Sequence, residues 1–302
     1  MPTRDGAAAL KDRGRASGGR ARHPANPGAG PGRGWPARPY PGAVTPHEAA
    51  TTLEWVTGEF MLRWLERVPG VAIERFGSAW GACAPDRSEL DFHNTVHRLL
   101  PDDVEQVPRI AEWYAAAGVR PWLELMPAPG FERLAAALRE AGAHQVGFLG
   151  VFERELPAAP SPHPPAIEIL QPPPDPEEFS KVLLTGHGLS KDQLSEAVPL
   201  NVPMAAVEGA IRYLATVDGK PAAAAVLFVQ QGIGHLANAS TMPGYRGRGC
   251  QTALIGRRLQ DAAAAGCSRA SVVATWDSQS HRNLARAGFR TAYTKAVWRM
   301  GE

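Results

Sequence analysis

Two kinds of hydrophobic spacing alternate along the first half of the chain. Leu53, Val56 and Phe60 recur at helical spacing, which predicts a helix over residues 46–67 that ends before Pro69-Gly70. Shorter apolar runs bounded by turn residues indicate strands. The same criteria predict strands at residues 71–76, 91–99, 122–126 and 146–156, and helices at residues 102–117 and 130–141.

The second half shows the same mixture with longer strands. A strand at 167–170 is followed by predicted helices at 177–185 and 191–198 and by predicted strands at 211–217, 222–230 and 233–241. Asp218-Gly219 is a favourable two-residue hairpin turn between the first two of those three strands. A helix at 250–265, a strand at 270–275 and a short helix complete the predicted elements. The fold class is therefore α/β (α+β), with a mixed, mostly antiparallel sheet flanked by helices.

Proline and glycine divide the chain. Five prolines within residues 157–165 cannot continue a sheet interior, so we predict a linker there between a lobe at 46–156 and a domain at 166–302. Both halves run helix, Gly, strand, helix, Gly, strand, with Gly118 and Gly142 in the first and Gly266 and Gly288 in the second. This echo predicts two related lobes in tandem.

Composition limits the class of protein. The chain has 302 residues, 44% hydrophobic and 21% charged, as is typical of a globular chain, and no run approaches the roughly 20 apolar residues of a membrane helix. Its three cysteines form neither a disulfide framework nor a metal-ligand pattern, which favours a cytoplasmic protein without a metal site.

The charge is distributed unevenly. Residues 1–45 carry eight Lys or Arg against Asp5 and Asp12, a net charge of +6, so the remaining residues carry −4. We predict a disordered basic tail at 1–45. The alternatives for this tail are a solvated extension and weak contact with a polyanion. Nucleic acid is not an expected partner of the folded lobes.

The segment from Tyr245 to Ile255 is a basic loop broken by glycine that leads into a predicted helix. The N-terminus of a helix presents free N–H groups and the positive end of the helix dipole, which together favour an anion. Gly247 and Gly249 let backbone approach a ligand closely, and Arg248 adds positive charge. The pattern predicts a pyrophosphate site.

This loop resembles the acyl-CoA signature of the GCN5-related N-acetyltransferases (GNAT). Arg246-Gly247-Arg248-Gly249-Cys250-Gln251 is similar to Arg/Gln-x-x-Gly-x-Gly/Ala, and Ala287-Gly288-Phe289 is similar to the turn into the family's last hairpin. The resemblance covers residues 166–300 well and 50–155 faintly. It implies the acetyltransferase fold. The first lobe has Leu100-Pro101-Asp102-Asp103 where the loop would lie, so we expect a degenerate GNAT-like lobe without phosphate contacts.

The resemblance also implies the donor and its contacts. Acetyl-CoA is the expected acyl donor, bound in part by a backbone N–H near Ala239 to Thr241 that faces the thioester carbonyl. Gln251 stands where the family has Gly or Ala, which adds bulk. The residues implied for the donor site are Ser240, Thr241, Met242, Arg246, Gly247, Arg248, Gly249, Cys250, Gln251, Thr252, Ser280 and Asn283.

The proton-transfer groups are less clearly indicated. The predicted strand at 233–241 has no carboxylate, and His235 is its only titratable residue, so it is the candidate base. Leu284 stands where the family often has a Tyr that acts as general acid. Tyr293, in the expected final hairpin, and Asn283 are substitutes in the neighbourhood, and Tyr293 is the candidate acid. Tyr293 is equally well interpreted as a core residue, and His235 as an ordinary strand residue. A nucleophilic Cys250 is a third, weaker hypothesis.

The sequence thus predicts an N-acetyltransferase that transfers acetyl from acetyl-CoA to a primary amine of a small molecule, directly in a ternary complex. Two-domain acetyltransferases of thiol biosynthesis, similar to mycothiol synthase, are one subclass with a tandem arrangement, although no residue singles it out. The alternative is a non-catalytic acyl-CoA-binding or regulatory module. We expect a monomer or homodimer with no membrane partner.

Overall fold

A computed structural model describes residues 46–88, 90–158 and 166–301 of the 302-residue chain. The predicted basic tail at 1–45 and most of the predicted linker, residues 159–165, lie outside the described residues. Within the described ranges, no helix is long and apolar enough to cross a membrane.

The first half contains three α-helices and five strands within its described residues. The helices are α1 (Pro46–Leu65), α2 (Val107–Ala116) and α3 (Phe131–Glu140). The strands are β1 (Ala72–Phe76), β2 (Ala79–Cys83), β3 (Thr95–His97), β4 (Trp122–Leu125) and β5 (Ala143–Glu155). Strand β2 was not predicted. The predicted helix at 102–117 begins instead with a 3₁₀ helix, Pro101–Gln106, before α2.

The second half follows the predicted order closely. Its helices are α4 (Pro176–Gly186), α5 (Lys191–Asn201), α6 (Cys250–Ala264) and α7 (Gln279–Arg286). Its strands are β6 (Ile167–Leu170), β7 (Ala210–Val217), β8 (Lys220–Gln230), β9 (Ile233–His235), β10 (Ala239–Thr241), β11 (Arg269–Thr275) and β12 (Arg290–Met300). Side-chain caps begin three of the helices, because Asp175, Ser190 and Ser278 each accept a hydrogen bond from an N–H of the first turn.

One sheet runs through both halves of the chain. Its twelve strands, counted over the described residues, are ordered β1-β2-β3-β4-β12-β5-β11-β9-β8-β7-β6, with β10 paired to β8. Among the strand pairs of the described residues, only β3–β4 and β9–β11 are parallel. The predicted class, a mixed and mostly antiparallel sheet with flanking helices, is confirmed. The division into lobes at 46–156 and 166–302 stays a prediction.

At the centre of this sheet, each half of the chain contributes one strand that lies between two strands of the other half. Strand β5 of the first half lies between β11 and β12, and β12 of the second half lies between β4 and β5. Val151 is thus opposite Val273 on one side and Tyr293 on the other. The expected final hairpin is therefore wrong, since β12 is a single long strand whose antiparallel partners, β4 and β5, both come from the first half.

Helix α1 occupies the interior of the molecule. Its residues Leu53 and Phe60 belong to one buried cluster with Trp80 of β2 and Phe228 of β8, strands from opposite parts of the sheet. The rings of Phe60 and Phe228 lie 5.5 Å apart. The sheet therefore curls around α1. Its other face is covered by α6 and α7 in the second half and by α2 and α3 in the first.

Candidate functional site

A β-bulge separates β9 from β10. His235 lies opposite Phe228, and Ala239 lies opposite Ala225. The four residue steps from β9 to β10 therefore lie opposite only three steps along β8, which is the pattern of a bulge. The N–H of Leu236 donates to Ser271 O at 2.7 Å, which links this segment to β11, but β10 beyond it pairs with β8 and not with β11. The strands therefore diverge after His235 and leave an opening between β10 and β11.

Backbone groups of β10 face this opening. Residues of a strand direct their N–H and C=O alternately to the two sides, and the N–H of Met242 donates to Ala222 O of the β8 strand at 2.9 Å. Ala239 and Thr241 are an odd number of positions from Met242, so their N–H and C=O groups point away from β8. Arg246 Nε reaches Thr241 O from that side at 3.4 Å. The predicted region for the thioester contact therefore lies at the edge of the opening.

The loop from β10 to α6 has the form expected of an anion site. Gly247 and Gly249 have φ of +77° and +89°, a conformation that favours glycine. Gly249 is the N-cap of α6 and contributes no side-chain cap, so the N–H groups of the first turn remain open to a ligand. The helix dipole adds positive potential at the same point. This end of α6 can hold a phosphate group.

The polar side chains of this loop contact the neighbouring elements. Arg246 Nη2 donates to Gly186 O at the end of α4 at 3.2 Å. Gln251, which replaces the family's small residue, donates from Nε2 to Thr241 Oγ1 at 3.1 Å and so lies against β10. Arg248 and Thr252 are exposed, and the Arg248 guanidinium lies 5.5 Å from the ring of Tyr245. The chain thus gathers these predicted residues around the open helix end.

The end of α4 packs directly against β10. The Ser240 hydroxyl, which is buried, donates to Leu183 O at 2.7 Å. A Cβ at Gly186 would overlap the side chain of Ser240, so this close approach requires glycine. Met242 is partly buried against the cluster around α1. Ser240 and Met242 therefore support the strand that lines the opening.

Cys250 is a core residue at the first position of α6. Its side chain belongs to the cluster between α6 and the sheet. Burial raises the pKa of the Cys250 thiol above its ordinary value, which disfavours the thiolate that a nucleophile requires.

Helix α7 carries both Ser280 and Asn283. Ser280 is exposed. The side-chain oxygen of Asn283 accepts hydrogen bonds from Gln279 at 2.9 Å and Arg286 at 2.7 Å, which fixes its orientation. Leu284 is buried in the core between α6, α7 and the sheet. The position of the family's usual acid is therefore filled by an apolar packing contact.

His235 lies at the base of the opening but inside the protein. It is 4% exposed, its Nδ1 lies 3.0 Å from Ser271 Oγ, and its ring lies 6.5 Å from that of Phe60 in α1. Burial, together with the positive charges of Lys295 and Arg258, lowers the pKa of His235 to about 3. A base with so low a pKa accepts a proton weakly at pH 7. The role of His235 as general base stays a prediction.

Tyr293 lies on the α1 side of β12. Its hydroxyl donates to Glu54 Oε1 at 2.6 Å, and burial followed by the Glu54 charge raises its pKa well above the ordinary value. The ring also lines a cavity of about 190 Å³ with the first residues of α1, Pro127 and Pro129. Its role as general acid also stays a prediction.

Two buried cations near the site were missed from the sequence. Arg258 is 2% exposed on α6, and Lys295 is fully buried between Glu54 and Glu124. Arg258 follows Leu254 by four residues on the apolar face of α6, and this break in the pattern is the signal that would have found it. Within the described residues, no group of His, Cys, Asp and Glu is arranged to hold a metal ion.

Comparison of the fold with known structures finds similar proteins. A GCN5-related N-acetyltransferase from Kribbella flavida superposes with a TM-score of 0.61 at 17% identity, over 84% of this chain and 96% of its own. A tandem GNAT protein from the clavulanic acid biosynthesis pathway gives 0.57 at 12% identity, over 86% and 97%. At such identities these likenesses show the fold. No curated protein sequence matches the chain.

The sequence itself matches a family over the region that carries the loop. Residues 190–289 match the acetyltransferase (GNAT) family, a range that extends from the cap of α5 to the end of the Gly-Phe turn. That range contains the bulge, the opening between β10 and β11 and the open end of α6. The chain has the GNAT fold, and its second half carries a domain of the GNAT acetyltransferase family.

Proposed function

We propose that the protein is an N-acetyltransferase that transfers the acetyl group of acetyl-CoA to a primary amine of a small molecule. The family implies an acyl-CoA donor. The observation that carries the proposal is the open N-terminus of α6, capped by Gly249, beside the opening between β10 and β11. One surface thus offers an anion site and, next to it, backbone groups for a thioester.

The donor takes an extended path in this proposal. Its pyrophosphate binds the N–H groups at the start of α6, with Arg248 as an added positive charge. Its pantetheine arm enters the opening and uses the main-chain groups of Ala239 that point away from β8. The same backbone stabilises the negative charge that develops on the thioester oxygen when the amine attacks. The acetyl group moves directly from sulfur to nitrogen, and the burial of Cys250 supports a path without an acyl-cysteine.

The amine must lose a proton before or during the attack. His235 is neutral at pH 7, but it reaches the reaction only if it contacts the amine from beneath the opening. The Tyr293 hydroxyl already donates a hydrogen bond to Glu54. The variant His235→Asn distinguishes two roles for this histidine. A general-base role predicts that the variant lowers kcat and changes the pH profile of kcat. A packing role predicts a lower melting temperature with an unchanged pH profile.

The second candidate is a non-catalytic acyl-CoA-binding module. The observation in its favour is Leu284, which is buried where the family often has an acidic Tyr. A water molecule can protonate a leaving thiolate, so this substitution is compatible with catalysis as well. The two candidates differ in turnover and not in binding of the donor.

A thiol-release assay separates the two candidates. The protein is mixed with acetyl-CoA and a panel of small primary amines, and free CoA thiol is followed with a thiol-reactive dye. We expect amine-dependent release for at least one class of amine, with the acetylated product identified by mass spectrometry. Tight binding of acetyl-CoA without release across amines, polyamines, amino sugars and amino acids would favour the binding module.

We propose a cytoplasmic protein that acts as a monomer or homodimer, takes a small-molecule acceptor and uses no membrane or nucleic-acid partner. Its support is the mildly acidic charge of residues 46–302 and the sequence composition.

A further inference from the structure

Arg258 is a buried cation whose hydrogen bonds go to backbone carbonyls. It is 2% exposed, and its Nε donates to Leu254 O of its own helix at 3.1 Å. Its Nη1 donates to Val226 O of β8 at 3.1 Å and to Ala237 O at 3.3 Å. Among the ion pairs of the described residues, none includes Arg258. Burial lowers its pKa to about 10.

The two strand carbonyls belong to the bulge that opens the sheet. The N–H of Val226 donates to both Ala237 O and Asn238 O, so the backbone of Val226 faces the bulged segment. In a regular ladder an N–H of that segment would donate to Val226 O. Here the extra residue disrupts the ladder, and Arg258 supplies a donor to this carbonyl. It therefore stabilises the point at which the strand leaves β11.

Burying a guanidinium without a carboxylate is costly, and an apolar side chain would fill the same face of α6 without that cost. The guanidinium offsets this cost at the bulge, because it donates hydrogen bonds to the buried carbonyls there. A buried carbonyl that has no donor is itself unfavourable. The hydrogen bonds also fix the direction of the chain between His235 and Ala239. That direction sets the width of the opening.

Helix α6 thereby connects the two ends of the donor site. Its first residue, Cys250, begins the turn that faces the phosphate, and Arg258 follows eight residues later, about 12 Å along the axis at 1.5 Å per residue. A single helix thus carries the anion site at its N-terminus and, further along, the side chain that is hydrogen-bonded to the bulge. The distance between them is fixed by the helix itself.

We propose that Arg258 is a positioning residue that holds the bulge between β9 and β10 and so places the backbone of Ala239 against the thioester carbonyl of the acyl donor. This inference rests on the proposed function, since it assigns a task at the donor site. Arg258 itself acts through the backbone and does not contact the reacting atoms.

The test uses the full-length protein and acetyl-CoA labelled with ¹³C at the thioester carbonyl. Isotope-edited infrared spectroscopy reports the hydrogen bond to that carbonyl, and calorimetry reports affinity. The variants are Arg258→Met, which removes the donors, and Arg258→Lys, which keeps the charge but presents a shorter, single ammonium. Arg257→Gln is the matched control, because Arg257 is the neighbouring residue of α6 but is only half-buried and pairs with Asp261 at 3.0 Å.

We expect the bound carbonyl band to lie below that of free acetyl-CoA in the wild type and in Arg257→Gln. In Arg258→Met it should return toward the free position while the affinity falls at least tenfold, and Arg258→Lys should be intermediate. A band and affinity equal to the wild type in Arg258→Met would overturn the inference. If that variant does not fold, Arg258→Lys decides: a wild-type band overturns the inference and a shifted band supports it. Absence of acetyl-CoA binding by the wild type would instead overturn the proposed function.

Discussion

The ammonium group of Lys295 lies 2.9 Å from Glu54 Oε2, and this ion pair joins the last strand of the sheet to the first helix. Lys295 is fully buried and also contacts Glu124 at 3.0 Å. Burial alone would lower the pKa of Lys295, but the two carboxylates raise it on balance. Residues 241 positions apart in the sequence are thus held together inside the protein by charge.

Lys295→Met should strongly destabilise the protein. The substitution leaves Glu54 and Glu124 buried without their cation, and removal of one partner from a buried pair costs about 3–5 kcal/mol. Urea denaturation should show this loss in the free energy of unfolding. Lys191→Met, at an exposed position of α5, is the control and should change it by less than about 0.5 kcal/mol. A loss below 1 kcal/mol for Lys295→Met would show that the pair is not structurally important.

Mild acid should also destabilise the protein through its buried histidines. Burial lowers the pKa of His93 and His235 to about 3 and that of His97 to about 4. The unfolded chain binds protons below about pH 6.5 while the folded protein does not, so stability falls as pH drops from about 6.5 toward 4, by about 1.4 kcal/mol per pH unit for each such group.

His235→Asn tests one of these contributions, since asparagine can keep a hydrogen bond to Ser271. Between pH 6.5 and 4 the free energy of unfolding should fall less steeply in this variant than in the wild type. His144→Asn, at an exposed position of β5, is the matched control and should leave the slope unchanged. Equal slopes for the wild type and His235→Asn would show that His235 is protonated normally in the folded protein.

Gly249→Ala and Gly266→Ala form a matched pair at the two ends of α6. Both glycines have positive φ, +89° and +79°, and alanine in that region costs about 1–2 kcal/mol. Melting temperatures should therefore fall similarly in both variants. Only Gly249 borders the anion site, so calorimetry should show at least a tenfold loss of acetyl-CoA affinity in Gly249→Ala alone. Equal affinities in the two variants would place the phosphate elsewhere.

Gly186→Ala tests the contact between α4 and β10. The added methyl would overlap Ser240 and push β10 toward the opening, so we expect a loss of about 1–3 kcal/mol in stability together with weaker acetyl-CoA binding. Gly147→Ala, in a strand with open space around the added Cβ, is the control for both measurements. Wild-type affinity in Gly186→Ala would mean that β10 does not contact the donor.

The local elements could be predicted because their signals are local. Asp218-Gly219 joins β7 to β8 as expected, and the capped helices α4 to α7 begin within one residue of their predicted starts where these were given. The loop between β10 and α6 was recognised for the same reason, since its glycines and arginines are contiguous in the chain.

The non-local features could not be predicted in this way. The pairing of β12 with β5 depends on residues more than a hundred positions apart, and a hydrophobic pattern does not name its partner. The burial of His235 depends on α1, which covers it from the other half of the chain. The bulge at Ala237 was hidden within an apparently continuous strand, because it is an offset in pairing with β8 and because Arg258, which donates to Ala237 O, lies on a different element.

The most direct test of the account is acetyl-CoA binding by calorimetry, with the wild type, Arg248→Glu and Arg133→Glu compared. Arg133 is exposed on α3 and makes the control for an equal change of charge. The account predicts binding by the wild type and Arg133→Glu and at least a tenfold loss, about 1.4 kcal/mol, in Arg248→Glu. No binding by the wild type, or equal binding by all three, would contradict the assignment of the acyl donor to the N-terminus of α6.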